Sequence, residues 1–364
     1  VNINLTCPIN TLGYGVVSTN IALSLERLGN TPSLWTIGNP EIEGDDNVRL
    51  IRNMLSRTAF YDNTSPSLRI YHQFDLAQHV GKGIHCSFPI FELDTFTDRE
   101  KHHLQSQDLI FVASEWAKSV IVQNGITKPV VVVPFGVDKQ TFFGGINQSP
   151  KTVFLNVGKW EIRKGHDVLV EAFNKAFSAS DEVELVMLCQ NPVVRQNGEK
   201  YNSDWNKLYL SSTLGQAGKI RLLPRLKSHS QVADVMRQAD CGVFPARAEG
   251  WNLELAEMLA MGKHCIATNY SAHTQYCTPK NTRMVHTDTL SPAYDGVWFH
   301  GQGNWAEFGE AQVEQLVKEM RDIHRMKQCG ELGVNEEGKK TFGEMTWQRT
   351  VELITSGLSQ YAQP

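Results

Sequence analysis

The stretch from Arg247 to Gly262 carries two carboxylates, Glu249 and Glu257, on either side of the turn Gly250-Trp251-Asn252. A helix turns by about 100° per residue, so one that begins near Leu253 places Glu257 a turn inside it, pointing back toward the helix start. Glu249 then stands on the loop before the helix, and the two acids can grip one polyhydroxylated ligand from two ends. The backbone N–H groups of Gly250, Trp251 and Asn252 lie where a helix N-terminus attracts phosphate. Carboxylates bind hydroxyls and amides bind phosphate, so the pattern calls for a sugar nucleotide. Acidic residues in a first helical turn also complement the helix dipole by roughly 0.3–1 kcal/mol each, and Glu254 fits that description. An isolated pair of glutamates would be helix electrostatics; its meaning depends on the rest of the chain.

Three other segments bear on it. Asn10-Thr11-Leu12-Gly13-Tyr14-Gly15 separates a first strand from a first helix, where glycines bring backbone close to a phosphate. It lacks the third glycine of a dinucleotide fingerprint, and no acidic residue closes a second strand at the expected distance. Asn156-Val157-Gly158-Lys159-Trp160-Glu161-Ile162-Arg163-Lys164-Gly165 likewise follows a strand and precedes a helix, so the ammonium groups of Lys159 and Lys164 can reach a diphosphate. Cleaving a sugar–phosphate bond builds negative charge on the departing oxygen, and fixed cations there lower the barrier. His72, His85 and Glu92 fall near ends of expected strands, where each can face a cleft. No Asp-x-Asp pair, H-E-x-x-H or serine elbow is present, so no metal ligand set is expected and a metal-independent mechanism is preferred.

These segments need elements to hold them. With 364 residues, 41% hydrophobic and 20% charged, the chain fits a globular protein of two domains. A net charge of −4 gives no general attraction to nucleic acid or anionic membrane. Seven cysteines show no C-x-x-C and no metal spacing, and several sit in apolar runs, which reads as buried free thiols in a reducing compartment. No run approaches a membrane span and no signal peptide opens the sequence, so the expected location is the cytoplasm.

Short apolar runs alternate with helical patterns, as in a parallel sheet with crossover helices. Strands are expected at 1–5, 34–37, 69–72, 83–88, 109–113 and 129–134, with helices at 15–28 and 114–124. A second set has strands at 152–157, 183–189, 220–223, 241–245 and 264–268. Its helices are expected at 166–177, 203–214 and 228–238 and in the segment bearing Glu257. Residues 279–305 show weak periodicity; helices at 311–326 and 346–361 follow. The expected domains are 1–145, joined by a C-terminal helix about 346–364 that crosses back, and 146–345. Ligands of such sheets bind at strand C-termini, so the site is expected in the cleft between the domains.

Taken together, these segments resemble the family-four glycosyltransferases, whose GT-B fold has two facing Rossmann-like α/β domains. The resemblance rests on Gly13-Tyr14-Gly15, Val133-Pro134-Phe135-Gly136-Val137-Asp138, Val157-Gly158-Lys159 with Lys164-Gly165, and Glu249 through Glu257 with Ala260-Met261-Gly262 behind. Phe342-Gly343-Glu344-Met345-Thr346-Trp347 is similar to the family's tail. The runs Phe91-Glu92-Leu93-Asp94-Thr95-Phe96 and Ser114-Glu115-Trp116 are similar to a subgroup.

The resemblance implies that Glu257 binds the donor's ribose and Glu249 the transferred sugar. It implies amides at 250–253 and 13–15 on the diphosphate, Lys159 and Lys164 neutralising it, and the base near Arg225 and Leu226. It makes His72, His85 and Glu92 candidate sugar or acceptor contacts. Two positions depart from the family. Lys159 stands where arginine is usual, a point charge in place of a bidentate clamp, and Trp251-Asn252 replaces the commoner Phe-Gly. The implied activity is retaining transfer of a hexose from a UDP- or GDP-linked donor to an acceptor hydroxyl, without a cofactor. Its expected partners are the nucleotide sugar and a hydroxyl-bearing acceptor, with no stable nucleic-acid complex. The absence of a basic amphipathic helix in the first domain argues mildly against peripheral membrane contact. A sugar-nucleotide epimerase of the same architecture and a non-catalytic nucleotide-sugar binder are the competing readings.

Overall fold

Runs such as Ile3-Asn4-Leu5 and Leu185-Val186-Met187 are buried at every residue in a computed structural model that describes residues 1–194 and 196–361. Strands buried on both faces belong in parallel sheets covered by helices, and the chain builds two such units. One comprises Val1–Gly136 and the chain from Glu344 onward; the other is Val137–Gly343. The sequence reading places the division at 145/146. Residues 137–145 instead lie with the second unit because the Arg237 guanidinium sits 4.1 Å over the Phe143 ring and bonds the Thr141 carbonyl, while Gly144 approaches the Met261 carbonyl.

The first unit runs β1 (Asn2–Cys7), α1 (Gly13–Arg27), β2 (Thr31–Thr36), α2 (Asp45–Ser56), β3 (Ser67–Arg69), β4 (His85–Ser87), α3 (Asp98–Gln105), β5 (Leu109–Val112), α4 (Glu115–Gln123) and β6 (Val130–Val132). Its sheet is parallel with order β2-β1-β3-β4-β5-β6. Helix α4, within the helix expected at 114–124, is capped by Ser114, whose hydroxyl accepts the Ala117 N–H. The helices α2 and α3 were not foreseen. The Thr97–Glu100 capping box that starts α3 is nevertheless visible in the sequence. The C-terminal helix, Trp347–Tyr361, belongs to this unit: Trp347 stacks on Phe135 at 5.8 Å and Thr350 donates to the Pro134 carbonyl.

The second unit runs β7 (Thr152–Gly158), α5 (His166–Ala176), β8 (Val183–Cys189), α6 (Gly198–Leu210), α7 (Thr213–Gln216), β9 (Ile220–Leu222), α8 (His229–Arg237), β10 (Cys241–Phe244), α9 (Leu253–Ala260), β11 (His264–Thr268) and β12 (Arg283–Val285). An antiparallel hairpin, β13 (Leu290–Tyr294) and β14 (His300–Ala306), follows, then α10 (Glu310–Gln328) and α11 (Glu336–Thr341), before the C-terminal helix α12. The helix expected at 203–214 is two, α6 and α7, separated at Ser211 and Ser212. The parallel sheet has order β12-β11-β10-β7-β8-β9, a Rossmann order whose direction reverses between β7 and β10. Its core joins Phe154, Leu185 and Val243 of the strands to Phe173 of α5 and Leu316 and Met320 of α10. Six cysteines are buried free thiols and Cys329 is exposed.

Buried Asp240 ties this unit's edge together. It accepts from the Val153 N–H and the Asn147 amide at 2.8 Å each and pairs with Lys327 at 2.9 Å. Removing one partner of a buried ion pair strands the other, so Asp240→Ala is expected to cost about 3–5 kcal/mol in urea unfolding. A loss below about 1 kcal/mol would show that water replaces the carboxylate.

Candidate functional site

The reversal between β7 and β10 leaves a crevice at their C-terminal ends. The loop after β7 carries Lys159 to Gly165, and the loop after β10 carries Arg247 to Asn252. Arg247 clamps the two loops together. Its guanidinium makes two 2.8 Å bonds to Asp167, it bonds the Ile162 carbonyl, and its N–H donates to the Arg163 carbonyl.

Between these loops lies a cluster of ions. Arg163 pairs with Glu161 at 2.7 Å and with Glu249 at 2.8 Å, Lys164 meets the other Glu249 oxygen at 2.8 Å, and Lys159 reaches Glu161 at 3.0 Å. All but Lys159 are buried. Burial would push the Glu249 carboxyl up, but the Arg163 and Lys164 cations outweigh it and hold the group far below the ordinary range. Burial likewise disfavours the Lys164 ammonium, yet Glu249 and Glu254 raise its pKa, so it stays charged. Glu249 is thus anchored on both oxygens rather than presented freely to a sugar. Arg163 and Glu161 were not singled out from the sequence, although Arg163 directly precedes Lys164.

Gly158 shapes the same corner. Its φ of +156° suits glycine, and a Cβ there would press on the Lys164 stem, 3.1 Å from Cδ and 3.4 Å from Nζ. Below it, buried His166 accepts the Glu161 N–H at Nδ1, which leaves its Nε2 proton for Asn156 Oδ1 at 2.9 Å.

Helix α9 starts on strained backbone. Asn252 has φ +77°, which glycine adopts freely and asparagine tolerates, and its side chain caps the Leu255 N–H. Its amide also donates to His273 Nε2 at 3.0 Å, while His273 Nδ1 donates to the Thr268 carbonyl. The left-handed geometry explains how asparagine stands where the resembling family more commonly has glycine. Ser271, also at positive φ, accepts the Glu249 N–H. Buried Trp251 packs on Tyr276 at 4.8 Å, and the Tyr276 hydroxyl bonds the Trp251 carbonyl. Among the described residues, the N–H groups of Gly250, Asn252 and Leu253 find no protein acceptor.

Glu257 contrasts with Glu249. It is 8% exposed, and its carboxylate makes no hydrogen bond or ion pair among the described residues. Burial, then Glu254 and Asp138, raise its pKa well above the carboxylate range. Arg225 and Leu226 lie in the loop between β9 and α8, at the same end of the sheet.

In the first unit the direction reverses between β1 and β3. Gly13, Tyr14 and Gly15 form the first turn of α1, earlier than the start expected at Gly15. Gly13 faces open space, whereas Gly15 is buried, and a Cβ there would lie 2.1 Å from Asn10 Oδ1; its missing side chain serves packing. The Tyr14 hydroxyl accepts from the Ile90 N–H and donates to its carbonyl, fixing the loop that carries Glu92. His72, beyond β3, packs against Tyr14 at 4.5 Å and stacks on Phe74 at 5.0 Å. These three residues share one end of the sheet. His85 does not: it opens β4 at the opposite end, stacks on His79 at 4.2 Å and bonds Asp108 through its N–H.

Residues 151–294, which carry this crevice, match the family model described as glycosyl transferases group 1. No curated protein matches the chain in sequence. The sucrose-phosphate synthase structure from Thermosynechococcus elongatus is similar over 99% of this chain and 98% of that one, with TM-score 0.72 and 13% identity. A glycosyltransferase from Rickettsia africae gives 0.70 and 14% over 99% and 98%. The trehalose-6-phosphate protein of E. coli bound with UDP-2-fluoro glucose gives 0.71 and 9% over 99% of each chain. At such identities the structural likeness is one of fold.

Two expectations follow from the local chemistry. Asn252→Gly keeps the left-handed backbone but loses the Leu255 cap and the His273 bond, at an expected cost of about 1 kcal/mol. Asn252→Ala loses cap and conformation together and should cost about 2–3 kcal/mol in chemical unfolding. Equal losses would mean that the backbone imposes no strain. Burial, with Lys164 beside it, lowers the His166 pKa to about 3, against 6.5 for a free histidine. Between these values the unfolded chain binds a proton the folded chain refuses, so His166 contributes stability that is complete above pH 6.5 and fades as pH falls toward 3. Glu257, with its raised pKa, works in the opposite sense. The stability difference between wild type and His166→Gln isolates the histidine and is expected to narrow between pH 7 and pH 4.

Proposed function

We propose that the chain, whose residues 151–294 match the group 1 glycosyltransferase model, transfers a hexose, with retention, from a UDP- or GDP-linked donor to an acceptor hydroxyl. The observation that carries this reading is the contrast at the β7–β10 crevice. Lys164 is locked in its charged form against Glu249, while Glu257 is buried with no protein donor on its carboxylate. A carboxylate so placed gains two donors from a ribose diol, and the open amides at the start of α9 suit a diphosphate.

The acceptor oxygen bonds to the anomeric carbon on the face the diphosphate leaves. As the carbon–oxygen bond to the diphosphate breaks, the acceptor's proton passes to the departing phosphate oxygen. Lys164 and Lys159 stabilise the charge that develops there, and the amides of Gly250 to Leu253 add their dipoles. Glu249 positions Lys164 and Arg163 and keeps lone pairs for a sugar hydroxyl. Glu257 holds the ribose, and Arg225 and Leu226 border the base. In the first unit, taken by itself, Gly13, Tyr14 and Gly15 form a helix start of the kind that suits a phosphate, and His72 and Glu92 stand at the same end of its sheet as candidates for the acceptor. His85, at the far end of its strand, is left out. Fixed cations supply the leaving-group stabilisation, so the proposed mechanism is independent of a metal ion. In relatives of this fold, the E. coli protein is bound with UDP-2-fluoro glucose and an Anabaena protein with UDP and glucose, which supports a nucleotide-sugar donor.

Lys164→Ala is expected to lower turnover by about a hundredfold in a protein that still folds. Unchanged turnover would remove Lys164 from the reaction. Incubating the donor without acceptor should release nucleoside diphosphate slowly and yield no epimerised donor; an epimer would favour the competing reading.

A further inference from the structure

A second cavity, of about 620 Å³, opens between the start of α6 and the tip of the β13–β14 hairpin, within the second unit. Gln196, Asn197, Lys200, Tyr201, Asp204 and Trp298 line it. None of these belongs to the ion cluster, and the hairpin is the part of the unit that adds nothing to its parallel sheet.

The hairpin tip is built to hold one side chain in place. Oδ1 of Asp295 accepts the N–H groups of Val297, Trp298 and Phe299 at 2.8, 2.8 and 2.9 Å, and the Asp295 N–H returns to the Phe299 carbonyl at 3.0 Å. Phe299 packs on buried Trp305 at 5.4 Å, which anchors the tip, yet Trp298 is left 39% exposed as a residue. Oδ2 of Asp295 is buried and has no hydrogen-bond partner among the described residues. Across the cavity, Asn197 has φ +56°, one of three non-glycine residues at positive φ among those described; the other two, Asn252 and Ser271, frame the ion cluster. Strained backbone of this kind concentrates at sites that use it.

The lining chemistry selects a ligand. Among the described residues that line it, the charged ones, Lys200 and Asp204, pair at 2.7 Å and cancel, so the described lining calls for neither an anion nor a cation. An exposed tryptophan and a tyrosine ring offer flat apolar surface, with carboxamides beside them to take and give hydrogen bonds. Flat C–H faces edged by hydroxyls match that surface, whereas a wholly apolar ligand would leave the amides unmet. We propose that this cavity is a binding site for a neutral oligosaccharide, stacked on Trp298. The Tyr201 hydroxyl bonds the carbonyl of Trp160, the residue after Lys159, so a saccharide held here lies beside the loop that carries the proposed leaving-group lysine. The binding claim itself does not depend on transfer.

The test uses the full chain and three probes, maltohexaose, cellohexaose and chitohexaose. Their binding is followed by NMR through the Trp298 indole N–H resonance, assigned by its absence in Trp298→Phe. At least one probe is expected to shift that resonance saturably, and Trp298→Ala to weaken its binding, read by calorimetry, by about tenfold or more. Asn197→Gly, which keeps the left-handed backbone and removes the amide, should also weaken it and serves if the tryptophan variant misfolds. Donor turnover in both variants should stay at the wild-type level. The proposal is overturned if none of the three probes shifts the resonance, if both variants bind as wild type does, or if a nucleotide alone produces the shift. Loss of transfer in Lys164→Ala leaves this result untouched, so the two readings fail separately.

Discussion

One guanidinium, Arg163, is shared by two buried carboxylates, Glu161 and Glu249, and the geometry of the second unit's crevice depends on it. Buried charges are costly to desolvate, and such a set persists only when every member is paired. Here Lys164 and Lys159 complete the pairing, and Arg247 with Asp167 pins the two contributing loops. The result is a lysine held charged at the C-terminal end of β7, next to the start of α9. An arrangement of this kind is preorganised: its charges are fixed before a ligand arrives, so little reorganisation is needed when negative charge develops nearby.

The same constraint assigns different work to the two glutamates that frame α9. Glu249 sits inside the ionic hub, where cations hold it ionised, and its main structural task is to aim Lys164. Glu257 sits apart, buried near Glu254 and Asp138 with no cation to offset them. Its unfavourable surroundings make sense if the protein completes them with a ligand's hydroxyls. The positive φ of Asn252 bends the loop at the start of α9, and Ser271, also at positive φ but beyond β11, accepts the Glu249 N–H from a neighbouring loop.

Much of this was legible in the residues. The strands Val183–Cys189 and His264–Thr268 fall where the apolar runs put them, and the Ser114 cap marks the start of α4. The α/β alternation gave two parallel sheets because buried strands and amphipathic helices have distinct periods. The hairpin β13–β14 escaped because its polar, half-exposed residues follow no apolar alternation, and α11 because it is short and carries Lys and Glu on most positions. In the site, residue type and spacing single out Lys159, Lys164 and Glu249 but not who pairs with whom. Arg163 reads as one more basic loop residue until the fold brings Ala248 and Glu249 to it, far along the chain. His85 illustrates the converse: a strand end is visible in sequence, but which end of the strand faces the crevice is set by the sheet.

The central claim is that the diphosphate of a sugar nucleotide meets Lys164 while its ribose meets Glu257. The most direct measurement is a crystal structure with UDP or GDP, whichever raises the melting temperature more. The account predicts Lys164 Nζ within hydrogen-bond distance of a phosphate oxygen and both ribose hydroxyls on the Glu257 carboxylate. A nucleotide bound elsewhere, with Lys164 still turned only to Glu249 and Glu257 untouched, would contradict it.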